Sequence, residues 1–146
     1  DSRDRSTDLS GDALEACALT WGGSVIKRVI LPDERGQICR TLEDYADNEK
    51  LDIILTTGGT GVGPRDVTPE ATREVCDREL PGLAEQIRLR GLEQVRSALL
   101  TRGVVAMRGN SVVVNLPGST RGARFSLEVV ADLLPHVTRM AQGGGH

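Results

Sequence analysis

The stretch Leu51-Asp52-Ile53-Ile54-Leu55-Thr56-Thr57 followed by Gly58-Gly59-Thr60-Gly61-Val62-Gly63-Pro64-Arg65-Asp66 constrains this chain more than any other. A short continuous apolar run ending in glycines fits a strand buried on both faces, as in a parallel sheet. Four glycines within positions 58 to 63 let the backbone turn sharply and present successive N–H groups. Such a nest binds phosphate oxygens, and Thr57 and Thr60 offer hydroxyl donors. No GK[ST] follows, so the loop is not a Walker A motif, and Pro64 stands where GxGxxG would need its third glycine. A flexible turn is the plain alternative. Thr68-Pro69-Glu70 then has the order of a helix start: a capping hydroxyl, proline at the first helical position and an acid in the first turn.

The remaining pattern alternates. Ser10 is placed to cap a helix over about 11–20, and residues 25–31 (VIKRVIL) read as a strand broken by Pro32-Asp33. Helices are expected over 34–47, 68–79 and 83–97. Residues 104–107 and 111–116 flank an Arg-Gly-Asn turn as a hairpin or neighbouring strands, and a last helix over 121–140 carries Pro135 as a candidate kink. This predicts an α/β fold: three layers, a mostly parallel sheet with helices on both faces. Residues 1–142 form one domain and 143–146 a flexible tail. Aromatic residues are 2% of the chain, so the core is aliphatic.

Composition excludes several functions. With Trp21, Tyr45 and Phe125 as its only aromatics and a net charge of −3, the chain lacks both the stacking platforms and the basic surplus of a nucleic-acid binder. Cys17, Cys39 and Cys76 are well separated, with no CxxC, which fits a reduced, cytoplasmic compartment and no zinc site. No apolar run reaches the roughly 18 residues of a membrane span. His136 and His146 are the only histidines, and no Ser–His or Cys–His pair is indicated.

In sheets of this kind ligands sit beyond the carboxyl ends of the strands. Pro32-Asp33, Thr57 to Asp66 and Asn115 to Ser119 should meet there. Asp66 reads equally as an acid favoured near a helix N-terminus and as a Mg²⁺ ligand beside phosphates. Asp33 faces the same choice, and two acids flanking an anion nest favour a cation between them. In Asn115-Leu116-Pro117-Gly118-Ser119, Asn115 suits a ring edge or the neighbouring loop, Gly118 permits close backbone approach, and Ser119 suits a helix cap or a ligand. A plain turn is an equal reading of that segment.

LDIILTTGGTGVGPRDVTPEATREV (51–75) resembles the signature of the molybdopterin-binding domain family, which includes the MogA, MoaB and gephyrin G-domain types. The likeness continues through DRELPGL (77–83), LLTR (99–102), Arg108-Gly109 and NLPGS (115–119), with Leu31-Pro32-Asp33-Glu34 and an opening Asp1-Ser2…Asp8-Leu9-Ser10-Gly11 also matching. PRDVTPE and Asp33 lean towards the MogA type. The resemblance implies adenylylation of molybdopterin by ATP with Mg²⁺ as cofactor, a homotrimer, and a MoeA-type molybdenum insertase as downstream partner. It makes Asp33 and Asp66 the critical, metal-holding acids. It makes Thr57, Gly58, Gly59, Thr60, Gly61, Asn115, Pro117, Gly118 and Ser119 the substrate-binding residues. It also implies a first strand ahead of Asp1, which this sequence does not contain. The alternatives are a MoaB-like paralogue that binds molybdopterin with weak or no adenylylation, and a trimeric scaffold. Residues 83–107, with Leu83, Ile87, Leu99, Leu100 and Val105, are a candidate subunit interface.

Overall fold

A computed structural model describes residues 9–20 and 22–144. The expected opening loop, Trp21 and His146 lie outside them. Four strands, β1 (Ile53–Thr57), β2 (Arg78–Glu79), β3 (Val105–Arg108) and β4 (Ser111–Leu116), form one sheet in the order β1-β4-β3-β2. Six α-helices accompany them: α1 (Leu9–Thr20), α2 (Arg35–Asp47), α3 (Thr68–Val75), α4 (Pro81–Leu92), α5 (Thr120–Val130) and α6 (Leu134–Ala141). A 3₁₀ turn covers Arg96–Leu100.

The α/β class and the helices on both faces are as expected, but the sheet is mixed rather than mostly parallel. β1 runs parallel to β4, whereas β3 is antiparallel to both β4 and β2. The tight turn at Gly109 (φ +56°) makes β3 and β4 a hairpin, and a hairpin is antiparallel by construction. Residues 25–31 form no strand. Extended backbone becomes a strand only with a ladder partner, and this segment pairs with no described strand. Arg28 instead ties it to α1 through Asp12 and Glu15, at 2.8 and 3.0 Å.

β4 is the axis of the molecule, with Val112, Val113, Val114 and Leu116 fully excluded from solvent. Its alternation divides the core. Val112, Val114 and Leu116 pack with α1, α4, α5 and α6 through Leu14, Ile87, Leu127 and Leu134. Val113 faces the other way, against Ile38 and Leu42 of α2, Ile54 of β1 and Ala71 and Val75 of α3. Each such buried aliphatic side chain contributes about 1.5–3 kcal/mol relative to exposure.

Four helices differ from their expected limits. α1 begins at Leu9, which places Ser10 inside its first turn. The helix from Thr68 stops at Val75, because the Asp77 and Leu80 N–H groups donate to Met107 and Val105 carbonyls of β3 at 2.8 and 2.7 Å. Sheet pairing outweighs helix propensity there. Pro81 opens α4 rather than breaking a helix, and the last helix divides before Leu134. Gly143 (φ +88°) and Gly144 close α6 by donating to Met140 and Arg139 carbonyls, a Schellman cap at the place expected to begin the free tail.

Candidate functional site

The carboxyl end of β1 is where the expected segments converge. Gly58 and Gly59 are both left-handed, at φ +91° and +69°, a pair of conformations that glycine adopts without strain. The chain thereby folds back over α3: Thr68 N–H donates to the Gly59 carbonyl at 3.2 Å, and a Cβ on Gly59 would strike Thr68 Oγ1. On the other side the loop after β4 is stitched to it. Gly58 N–H donates to Leu116 O at 2.9 Å, the Thr57 hydroxyl to Pro117 O at 2.9 Å, and a Cβ on Gly118 would sit 3.4 Å from the Gly58 Cα.

A cleft of about 140 Å³ runs along the open side of β1, between Ile54–Gly58 and the segment Val29–Asp33, over Ile38, Leu42 and Tyr45 of α2. Asp33, Thr57, Gly58 and Thr68 line it. It follows the strand edge rather than lying wholly beyond the strand ends. Its volume is below the roughly 300 Å³ of a typical small-molecule pocket, so a bulky ligand must rest mainly on the loops around its mouth.

Asp66 lies further along the glycine loop and does not line the cleft. Its Oδ2 accepts the Gly63 N–H at 3.0 Å, and it lies so near Gly61 that a Cβ there would come within 2.9 Å. No group of three or more His, Cys, Asp or Glu is placed to hold a metal among the described residues. The donor set still fits Mg²⁺, which is commonly held by one or two carboxylates with the rest of its shell from phosphates and water. Asp33 and Asp66 are hard oxygen donors at the cleft and on the loop.

Two expected ligand contacts are turned inward, and a third is used as a helix cap. Thr60 is buried. Asn115 is buried too, and its side chain is fully occupied: Oδ1 accepts Val104 N–H at 3.1 Å, and Nδ2 donates to Thr56 and Thr72 hydroxyls at 3.0 Å each. It holds the neighbouring elements, the second of its two expected uses. Ser119 is the N-cap of α5, accepting from Gly122 N–H at 3.1 Å.

Arg102 was not singled out by motif or composition. Its backbone N–H donates to Thr60 O at 2.8 Å, its Nε to Gly61 O at 2.7 Å, and its Nη2 to Asp66 O at 2.8 Å. Its Nη1 meets Glu70 of α3 at 2.6 Å, and the guanidinium holds the Glu70 carboxyl below its ordinary range. The only signal for it was its place in LLTR (99–102). Neither Cys39 nor Cys76 is activated: burial pushes both up to about 11, away from the thiolate.

In the candidate interface, Ile87 and Val105 belong to the core and Leu83 packs against it. Leu99 and Leu100 of that candidate are exposed, together with Leu89, Leu92 and Val95. Among the described residues no helix is long and apolar enough to cross a membrane.

Residues 2–136 match the family described as "Probable molybdopterin binding domain". A molybdopterin adenylyltransferase of Helicobacter pylori (strain J99) is 40% identical over 138 residues, covering 93% of this chain and 78% of that protein. The molybdenum cofactor synthesis protein cinnamon of Drosophila melanogaster is 40% identical over 134 residues, 91% of this chain, which spans only 22% of that longer protein. Among solved structures, the molybdopterin biosynthesis enzyme MoaB of Thermus thermophilus superposes with a TM-score of 0.88 at 48% identity, covering 93% of this chain and 86% of that one.

Proposed function

Since the chain belongs to the molybdopterin-binding domain family, we propose that it is a molybdopterin adenylyltransferase of molybdenum cofactor biosynthesis. ATP and molybdopterin give adenylyl-molybdopterin and pyrophosphate. The observation that carries this reading is the glycine loop, held by two left-handed glycines, Thr68 and Arg102, with Asp66 fixed on it and Asp33 among the residues lining the adjoining cleft. Relatives at about this similarity that are named molybdopterin adenylyltransferase support it.

The reaction needs positioning more than proton transfer. An oxygen of the terminal phosphate of molybdopterin forms a bond to the α-phosphorus of ATP, and the bond from that phosphorus to the bridging oxygen breaks. The electron pair leaves with pyrophosphate. The attacking phosphate is already ionised, so no general base is required, in keeping with the scarcity of histidine. Both reactants are anions, and bringing them together requires donors that do not have to reorganise. Backbone N–H groups within the glycine loop, those of Gly61 and Val62 among them, hold one phosphate. Asp66 on the loop and Asp33 at the cleft would hold Mg²⁺, whose chemistry is to neutralise triphosphate charge. Thr57, Pro117 and Gly118 shape the mouth of the site, while Asn115, Thr60 and Ser119 keep it in place.

The proposal extends to a cytoplasmic homotrimer that passes its product to a MoeA-type insertase. Mixing the protein with ATP, Mg²⁺ and molybdopterin tests the enzyme reading. Stoichiometric pyrophosphate and a retained adenylylated product are expected. Molybdopterin binding without pyrophosphate would indicate the MoaB-like paralogue, and no binding of either substrate would leave the scaffold.

A further inference from the structure

We infer that Arg102 is a positioning residue for this reaction: it aims the phosphate-binding N–H groups of the glycine loop without touching substrate. This rests on the adenylyltransferase reading and assigns the loop's geometry to one residue, whose side chain holds the Gly61 and Asp66 end of it. Arg102 follows the 3₁₀ turn Arg96–Leu100 and reaches the loop across about 40 positions of sequence. Its side chain takes the Gly61 and Asp66 carbonyls at 2.7 and 2.8 Å, and its backbone N–H takes the Thr60 carbonyl at 2.8 Å.

A trans peptide points its C=O and the following N–H in opposite directions. Carbonyls of Thr60 and Gly61 drawn towards Arg102 therefore send the Gly61 and Val62 N–H groups the other way. Neither N–H donates to an acceptor among the described residues. Two adjacent, outward N–H groups on a glycine-rich turn are an anion nest. A loop of this composition has little intrinsic preference for that arrangement, so an external hold is required.

The guanidinium is not available to bind phosphate itself. Nε and Nη2 are committed to Gly61 and Asp66, while Nη1 and Nη2 approach the Glu70 carboxylate at 2.6 and 3.3 Å. Four of its five N–H groups are used, and its charge is matched by Glu70 at the start of α3. The same pair fixes the loop to the helix that follows it. Lysine could not replace it, because an ammonium is a point donor without the planar fork that meets three acceptors in fixed directions.

The test compares Arg102→Lys, Arg102→Gln and Glu70→Gln with the unsubstituted protein. Three measurements are made: steady-state pyrophosphate release, amide hydrogen exchange at 60–67, and urea unfolding. In Arg102→Lys the Gly63 and Asp66 amides, the hydrogen-bonded ones of 60–67, are expected to exchange roughly tenfold faster while those of β4 keep their protection. KM for molybdopterin is expected to rise at least about tenfold, and Glu70→Gln should give a smaller rise. A purely structural role would lower kcat through loss of folded enzyme and leave KM unchanged. Unaltered loop exchange, or an unaltered KM in folded Arg102→Lys, would overturn the inference, and the lysine variant decides even if Arg102→Gln does not fold. If the unsubstituted protein releases no pyrophosphate, the enzyme reading fails by itself. The role of Arg102 is then decided by loop exchange and by calorimetric affinity for molybdopterin.

Discussion

Asn115 donates to the Thr72 hydroxyl at 3.0 Å, and that hydroxyl donates in turn to the Thr68 carbonyl at 2.8 Å. The chain of bonds joins β4 to α3 directly beneath the glycine loop, and Thr68 then carries the Gly59 carbonyl. Removing Asn115 leaves the buried Val104 N–H without its acceptor. Asn115→Ala should therefore lower the unfolding free energy by about 1–3 kcal/mol. Urea denaturation checks this. An unshifted midpoint would show that the network is dispensable.

Gly59 and Gly61 should fail differently. At Gly59 a side chain meets both a left-handed backbone and the Thr68 hydroxyl. Gly59→Ala is expected to cost about 1 kcal/mol or more in stability. At Gly61 the backbone is not left-handed, and the obstacle is the Asp66 carboxylate at 2.9 Å. Gly61→Ala should leave the unfolding midpoint nearly unchanged while displacing Asp66 and reducing turnover. Equal losses of stability in the two variants would contradict this division.

Asp66 holds the Gly63 N–H as well as being the proposed metal ligand. Asp66→Ala removes both functions, whereas Asp66→Asn keeps an acceptor for Gly63 and removes the charge. If the charge matters, pyrophosphate release is lost in both variants, by at least about a hundredfold, and raised Mg²⁺ restores neither. If loop shape alone matters, Asp66→Asn will approach normal turnover. Asp33→Ala, at an exposed position, should reduce turnover with no change in stability.

The glycine loop, the helix start at Thr68 and the β3–β4 hairpin were legible because their signals are local: glycines where φ is positive, Pro69 in the first turn, an apolar run on each side of Gly109. The 25–31 segment has the composition of a strand, but strand formation depends on a neighbour that its own residues do not specify. Asp77 to Leu80 continued a helical pattern until β3 offered its edge. Asn115 was read as a ligand contact or a loop support, and only burial separates the two. Arg102 was invisible for a further reason. Its acceptors are backbone carbonyls, which every residue has, and they lie 36 and 41 positions away.

The Arg102–Glu70 pair also gives the loop a pH dependence. Arg102 holds the Glu70 carboxyl below its ordinary value of 4.5. The folded state thus binds this proton less readily than the unfolded chain. Stability from the pair is full above the unfolded value and is lost as pH falls through the lower, folded one. The effect is modest, because the Glu70 side chain is 36% exposed. Protection factors of the Gly63 and Asp66 amides should fall as pH drops below about 4.5, and Glu70→Gln should flatten that fall. A Glu70→Gln profile identical to that of the unsubstituted protein would remove Glu70 from the explanation.

The last prediction concerns assembly. Leu89 and Leu92 on α4 and Val95, Leu99 and Leu100 around the 3₁₀ turn are exposed, at 58%, 39%, 55%, 47% and 61%. Gly91 brings the two elements together, since a Cβ on it would lie 2.9 Å from Ala98. Scattered exposed leucines need no explanation, but five on two adjoining elements are a costly surface for a monomer. Small domains usually cover such surfaces by closed symmetry, with C₃ among the common choices. Sedimentation equilibrium at micromolar concentration should therefore report three times 15.7 kDa. Leu99→Glu with Leu100→Glu should give a folded monomer. The glycine loop, Asp33, Asp66 and Arg102 all come from one chain, so that monomer should still bind molybdopterin. A stable monomer of the unsubstituted protein would defeat the trimer, and loss of binding in the double variant would mean that a neighbouring subunit completes the site.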